Sequence, residues 1–284
     1  MSDLRLALED ALGPSYRIER EVRPVGVCRM FVAQGTGGTA ELLVKVLPAE
    51  LSLAADSGVF ERELLRLADR LGHPQLVAPR GGGRAGTFVY HTRRFVEGTT
   101  LRALLASHGE LPLRRAVDIL RDVLTALAHA HAASIVHGDL RPEHVLLADG
   151  RALVADTGIV DALARSLPRA APAAASAALC APAYVAPERR GGGASAGPRD
   201  DMFAVGVLVH EMLTGRPPAA EAESLEEVRS LPPWLVELVH RCLAADPAAR
   251  WADAAAALGT IGRPSGGIGG LGDTGGTGGT GGTA

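Results

Sequence analysis

The sequence predicts an α+β chain of two unequal lobes: a small antiparallel sheet with one helix, then a larger, mainly helical part. Three observations carry this. Apolar stretches at Ile18, Val22, Val27, Met30–Val32 and Leu42–Leu47 are broken by turn formers such as Gly35-Thr36-Gly37-Gly38, as short strands are. Leu64, Leu67, Ala68 and Leu71 then recur at helical spacing within Phe60–Leu71. After Gly98 most of the remaining pattern is helical.

Element by element, residues 3–12 predict a short amphipathic helix. The runs 76–80 and 87–96 predict two strands around the turn signal Gly81-Gly82-Gly83-Arg84-Ala85-Gly86. Leu101–Ser107 predicts a short helix. Pro112 opens a long one reaching about Ala133, with Val117, Leu120, Leu124 and Leu127 on one side. Short strands are predicted near Val145–Leu147 and Leu153–Ala155. The run 159–180 is rich in Ala and Pro without a period, so it predicts a mobile loop. Helices follow at Asp201–Thr214, Pro233–Ala244 and Ala252–Leu258. From Gly262 the sequence is Gly- and Thr-rich, a composition expected to stay disordered. The expected division is a helical extension (1–15), a small lobe (16–97), a large lobe (98–261) and a tail (262–284), with the crossing near Val96–Leu101.

Hydrophobic residues make up 47% of the 284 positions and the formal net charge is −3. That material suffices for a core, and the charge gives no reason to expect a nucleic-acid or anionic-membrane partner. Cys28, Cys180 and Cys242 are odd in number and widely spaced, which suggests reduced thiols and a cytoplasmic setting. The charged start MSDLRLALEDALG lacks the apolar core of a signal peptide, and no apolar run reaches the ~18 residues of a membrane span.

The segment VHGDLRPEHVLLADGRALVADTG (136–158) resembles the catalytic and metal-binding loops of Hanks-type, bacterial-like serine/threonine protein kinases. LLVKVL, YVAPE, RDDMFAVGVLVHEMLTGRPP and ADPAARW follow the family's other motifs in order, so the likeness runs from about Tyr16 to Leu258. It implies a bilobal kinase-like fold. It also implies ATP and Mg²⁺ as ligands and a protein substrate or partner, whose identity the sequence does not give. The implied roles are specific. Lys45 would hold the nucleotide phosphates, itself held by Glu63, with Glu61 as the alternative. Asp139 would orient the accepting hydroxyl and take its proton, and Asp156 would bind the metal. Arg141 and His144 stand at the catalytic-loop lysine and second metal-ligand positions. Gly26 lies in the phosphate loop, and the hinge backbone runs from Arg94 to Val96. Glu188, Arg250 and Asp201 match structural positions.

Several departures bear on activity. The three glycine positions of the phosphate loop are Arg23, Val25 and Cys28, which removes the backbone freedom that lets amides close on phosphates. Leu43 replaces a small residue above the adenine slot, and Arg93 stands at its back. Gly138 replaces the Arg that receives an activation-loop phosphate, and Ser166 and Ser176 are the only hydroxyls between Ile159 and Cys180. Arg141 is no neutral replacement for a lysine, and an imidazole at 144 suits Mg²⁺ poorly. Thr157 replaces an aromatic, and Ala181 a threonine. Three such losses at about 1.5–3 kcal/mol each would slow transfer by roughly 10³ to 10⁶.

Three functional readings follow. The first is a pseudokinase, a signalling or binding module that binds ATP weakly and Mg²⁺ weakly or not at all. The second is a weak but active serine/threonine kinase. The third comes from HGDLRPEH, which also resembles the loop of aminoglycoside phosphotransferases; YVAPE, the helix at Asp201 and Arg250 weigh against it.

Overall fold

The structure is a computed structural model and describes residues 3–37, 40–168, 179–190, 196–218 and 230–262. Helix α1 (Asp3–Leu12) precedes strands β1 (Tyr16–Val25), β2 (Cys28–Gly35) and β3 (Leu42–Val46). Helices α2 (Ala49–Ala54) and α3 (Ser57–Arg70) follow, then β4 (Leu76–Val77), β5 (Pro79–Ala85) and β6 (Phe88–Arg94). The first sheet has the order β1-β2-β3-β6-β5 and is antiparallel throughout. The second lobe holds β7 (Thr99–Thr100), α4 (Leu101–His108), α5 (Leu113–Ala132), β8 (Val145–Ala148), β9 (Arg151–Ala155) and α6 (Ile159–Ser166). It continues with α7 (Pro198–Thr214), α8 (Pro233–Cys242) and α9 (Ala254–Leu258). A small sheet in the order β4-β9-β8-β7 joins the lobes near the hinge. This is the bilobal α+β arrangement the sequence predicts.

All five residues of β3 are buried, because both faces of the strand are covered. Leu42, Val44 and Val46 pack with Ile18, Phe31 and Ala33 beneath Leu4 and Leu8 of α1. Leu43 and Lys45, of opposite parity, turn to the other face. Helix α1 is therefore a lid on the sheet. Arg5 donates to the Ile18 carbonyl, and the Ile18 amide donates to Glu9 Oε1 at 3.1 Å. Leu8→Ala should cost about 2–5 kcal/mol, a fall of several degrees in melting temperature. Leu6→Ala, at a position 48% exposed, should leave melting nearly unchanged. Equal effects would mean that α1 does not cover the sheet.

Two expectations are corrected. The glycine run is not a turn: Gly81–Gly83 lie inside β5, and the chain reverses at Gly86 and Thr87. A Cβ on Gly82 would lie 2.5 Å from both Leu64 Cδ1 and the Tyr90 carbonyl oxygen, so glycine lets α3 lie directly on the strand. The first part of the expected loop 159–180 is α6, with Ile159, Val160, Ala162 and Leu163 buried. Those residues recur at helical spacing, hidden in the sequence by the short length and the alanine-rich surroundings. Residues 169–178, with Ser176, and the tail from 263 lie outside the described residues.

In the large lobe, residues 201–213 of α7 are buried without exception, so the helix forms its axis. Arg250 reaches Glu188 through two hydrogen bonds of 2.7 and 2.9 Å. Among the described residues no helix is long and apolar enough to cross a membrane.

Candidate active site

The loop bearing Asp139 is held from below. Asp201 accepts from the amides of His137 at 2.7 Å and Gly138 at 3.0 Å. It also accepts from His131 Nε2 at 2.9 Å, while His131 Nδ1 accepts from the Ala254 amide at 3.2 Å. Gly138 has φ +80°, a conformation glycine adopts without strain. Burial pushes the Asp139 carboxyl up to about 7, against the pull of Arg141 and Lys45. Its Oδ1 has no hydrogen-bond partner.

Lys45 and Asp156 meet across the cleft. Lys45 Nζ donates to Asp156 Oδ2 at 2.7 Å and lies 3.2 Å from His144 Nε2. His144 Nδ1 is 2.8 Å from the Asp139 carbonyl oxygen. A carbonyl only accepts, so Nδ1 carries the proton and Nε2 accepts from Lys45. Burial holds the His144 imidazole well below its usual range and therefore neutral. For Asp156 burial works the other way, but Lys45 and the other neighbouring groups overcome it and keep the carboxyl well below its ordinary value. The second carboxylate oxygen, Oδ1, faces Arg93 Nε at 3.6 Å.

Glu63 does not hold Lys45, contrary to expectation, and neither does Glu61. Glu63 pairs with Arg66 at 2.8 Å and approaches Arg165 of α6 at 3.9 Å. The C-terminal end of α6 meets the start of α3 through the Asp56 amide and the Ser166 carbonyl, 2.8 Å apart. Glu63 takes Arg66 of its own helix as its short partner and faces Arg165 at longer range, and Asp156 is left to neutralise Lys45. Ser166 is buried and its hydroxyl donates to the Leu163 carbonyl at 2.7 Å, so it is closed to modification in this arrangement.

The remaining candidates fall around the same cleft. Arg141 lies 3.5 Å from Asp139, and its guanidinium sits beneath the β1–β2 turn. A Cβ on Gly26 would be 3.1 Å from Arg141 Nη2. Arg94 ends β6, and Val96 packs with Val77, Leu146, Leu153 and Ala155 as an apolar floor beneath the hinge. Leu43 and Arg93 are cross-strand partners, and both are buried. His91 was missed. It pairs with Lys45 in the strand register, and burial drives its imidazole down to about 4. Its place two residues before Arg93 is the signal that could have found it.

A divalent metal does not fit this donor set. Asp156 Oδ2 and His144 Nε2 both face one ammonium, and Asp156 Oδ1 faces a guanidinium. Among the described residues no three His, Cys, Asp or Glu side chains converge to hold a metal.

The family model for the protein kinase domain matches residues 39–259, well over half of the chain. The chain belongs to the protein kinase family. Serine/threonine-protein kinase PknL of Mycobacterium tuberculosis is 37% identical over 268 residues, which cover 88% of this chain and 65% of that protein. PrkC of Bacillus subtilis is 30% identical over 207 residues, covering 72% of this chain and 31% of that protein. The chain thus spans less than two thirds of these kinases. Among solved structures, the kinase domain of M. tuberculosis PknI superposes with a TM-score of 0.67 at 25% identity, covering 87% of this chain and 95% of that one.

Proposed function

We propose that this kinase domain works as a pseudokinase, a binding or signalling module with weak affinity for ATP. One observation carries the reading: the ammonium of Lys45 lies between Asp156 and His144. Phosphoryl transfer is positioning plus charge neutralisation, with the lysine on the phosphates and the carboxylate on a metal. Here those two groups neutralise each other. Freeing them means separating a buried pair, whose partners would then each be desolvated and alone. Lys45 and Arg141 still line the cleft beneath the β1–β2 hairpin, and their charge suits phosphate oxygens, so some affinity for ATP remains.

The second reading, a weak kinase, is favoured by Asp139. A carboxyl raised to about 7 is suited to general-base work near neutral pH. A thermal titration with ATP and Mg²⁺ separates the two. A dissociation constant near 1 mM implies only about 0.4 kcal/mol at 1 mM ATP, a shift of about 1–2 °C. A shift of many degrees that Asp156→Asn removes would favour the kinase.

A further inference from the structure

We infer that the cleft takes a phosphate-bearing ligand as the free anion, without a divalent metal, with Lys45 and Arg141 supplying the positive charge that the metal would bring. This rests on the reading that the cleft still admits a nucleotide.

Three cations and two carboxylates are buried together. Lys45, Arg93 and Arg141 are 7, 9 and 6% exposed, against Asp139 at 8% and Asp156 at 7%. With both carboxylates ionised one positive charge is left over; His144 adds none, because its Nδ1 donates to the Asp139 carbonyl and its Nε2 accepts from Lys45. The donors are also incompletely used. Arg141 Nε and Arg93 Nε reach Asp139 and Asp156 only at 3.5 and 3.6 Å, as ion pairs, and make no hydrogen bond among the described residues. Burying such groups unsatisfied is costly, and an anion with several acceptor oxygens satisfies the one at Arg141. Lys45, His91 and Arg141 line one cleft with Val25, Val27 and Cys28 of the β1–β2 hairpin. Arg141 thus sits below the turn that closes on phosphates elsewhere in the family, and its fork of donors suits phosphate oxygens.

The same arrangement opposes the metal-bound form. Mg²⁺ on a triphosphate lowers its negative charge, weakening its attraction to the surplus cation. The ion would also have to displace Lys45 from Asp156 and would meet a nitrogen at position 144. The protein carries its own cation where the metal would stand.

Calorimetric titration of the wild-type chain with ATP and with tripolyphosphate, in EDTA and in excess MgCl₂, tests this. Both should bind in EDTA, and Mg²⁺ should weaken binding on the order of tenfold. Arg141→Gln and Arg141→Met, their fold checked by melting without ligand, should each lose several-fold affinity in EDTA. Affinity that rises with Mg²⁺, absence of binding in EDTA, or folded variants with unchanged affinity would overturn the inference. Tight Mg²⁺-dependent binding without transfer would sink it together with the weak-affinity part of the pseudokinase reading, leaving only the lack of transfer; measurable transfer would sink the pseudokinase reading itself.

Discussion

Arg250→Ala is expected to lower the unfolding free energy by about 3–5 kcal/mol, the cost of removing a large buried side chain and leaving the carbonyls it serves unpaired. The Arg250 side chain is 0% exposed. Besides Glu188 it serves the carbonyls of Ala244 at 2.8 Å and Ala245 at 3.2 Å, and its guanidinium lies 5.1 Å from the Phe203 ring centroid. Truncation therefore leaves two carbonyls unpaired and opens a cavity, while Glu188, 32% exposed, keeps access to water. The melting temperature should fall by roughly 6–20 °C. The pH dependence follows from Glu188. Burial alone would raise its pKa, but the Arg250 hydrogen bonds outweigh burial and bring it down to about 2. A depressed carboxyl stabilises above its unfolded value near 4.5 and loses that contribution as pH falls through 2. The gap between wild type and variant should narrow over that window. A gap independent of pH would mean that packing, not the ion pair, dominates.

Asp156→Asn should cost a similar ~3–5 kcal/mol, because it leaves the Lys45 ammonium and the Arg93 guanidinium buried without their shared counter-charge. This result separates the present arrangement from one in which Asp156 serves a metal, where the neutral amide would change function and leave melting nearly alone. Adding Lys45→Met to Asp156→Asn should recover a large part of the loss, since the unpaired ammonium goes with it. A double-mutant cycle with coupling above about 1 kcal/mol is expected; additive effects would contradict the pairing.

Much of the fold could be read from the sequence because the apolar periods are long and regular: α3, α5 and the strands β6, β8 and β9 lie close to their expected positions. The errors have physical causes. Gly81–Gly83 look like a turn, but close packing of α3 on β5 demands the absence of side chains there. Helix α6 is one short amphipathic segment whose burial depends on partners distant in sequence. At the site, Lys45, Asp139 and Asp156 were found from ordered motifs, and Arg141, His144 and Arg93 as departures from them. What stayed hidden was who pairs with whom. Glu63 has the right type and position for Lys45, yet it pairs with Arg66 of its own helix and faces Arg165 on a helix the sequence does not announce. His91 escaped because no motif marks it and only strand register brings it to Lys45.

The most direct test of the pseudokinase account is the transfer of labelled γ-phosphate from ATP. The wild-type chain, Lys45→Met and Asp139→Asn would be compared in Mg²⁺ and in Mn²⁺, with the chain itself and a general protein acceptor as substrates. The account predicts that all three incorporate label at the same background level, at least ~10³-fold below the roughly 1–100 s⁻¹ of kinases. Incorporation by the wild type near 1 s⁻¹, lost in both variants, would contradict it.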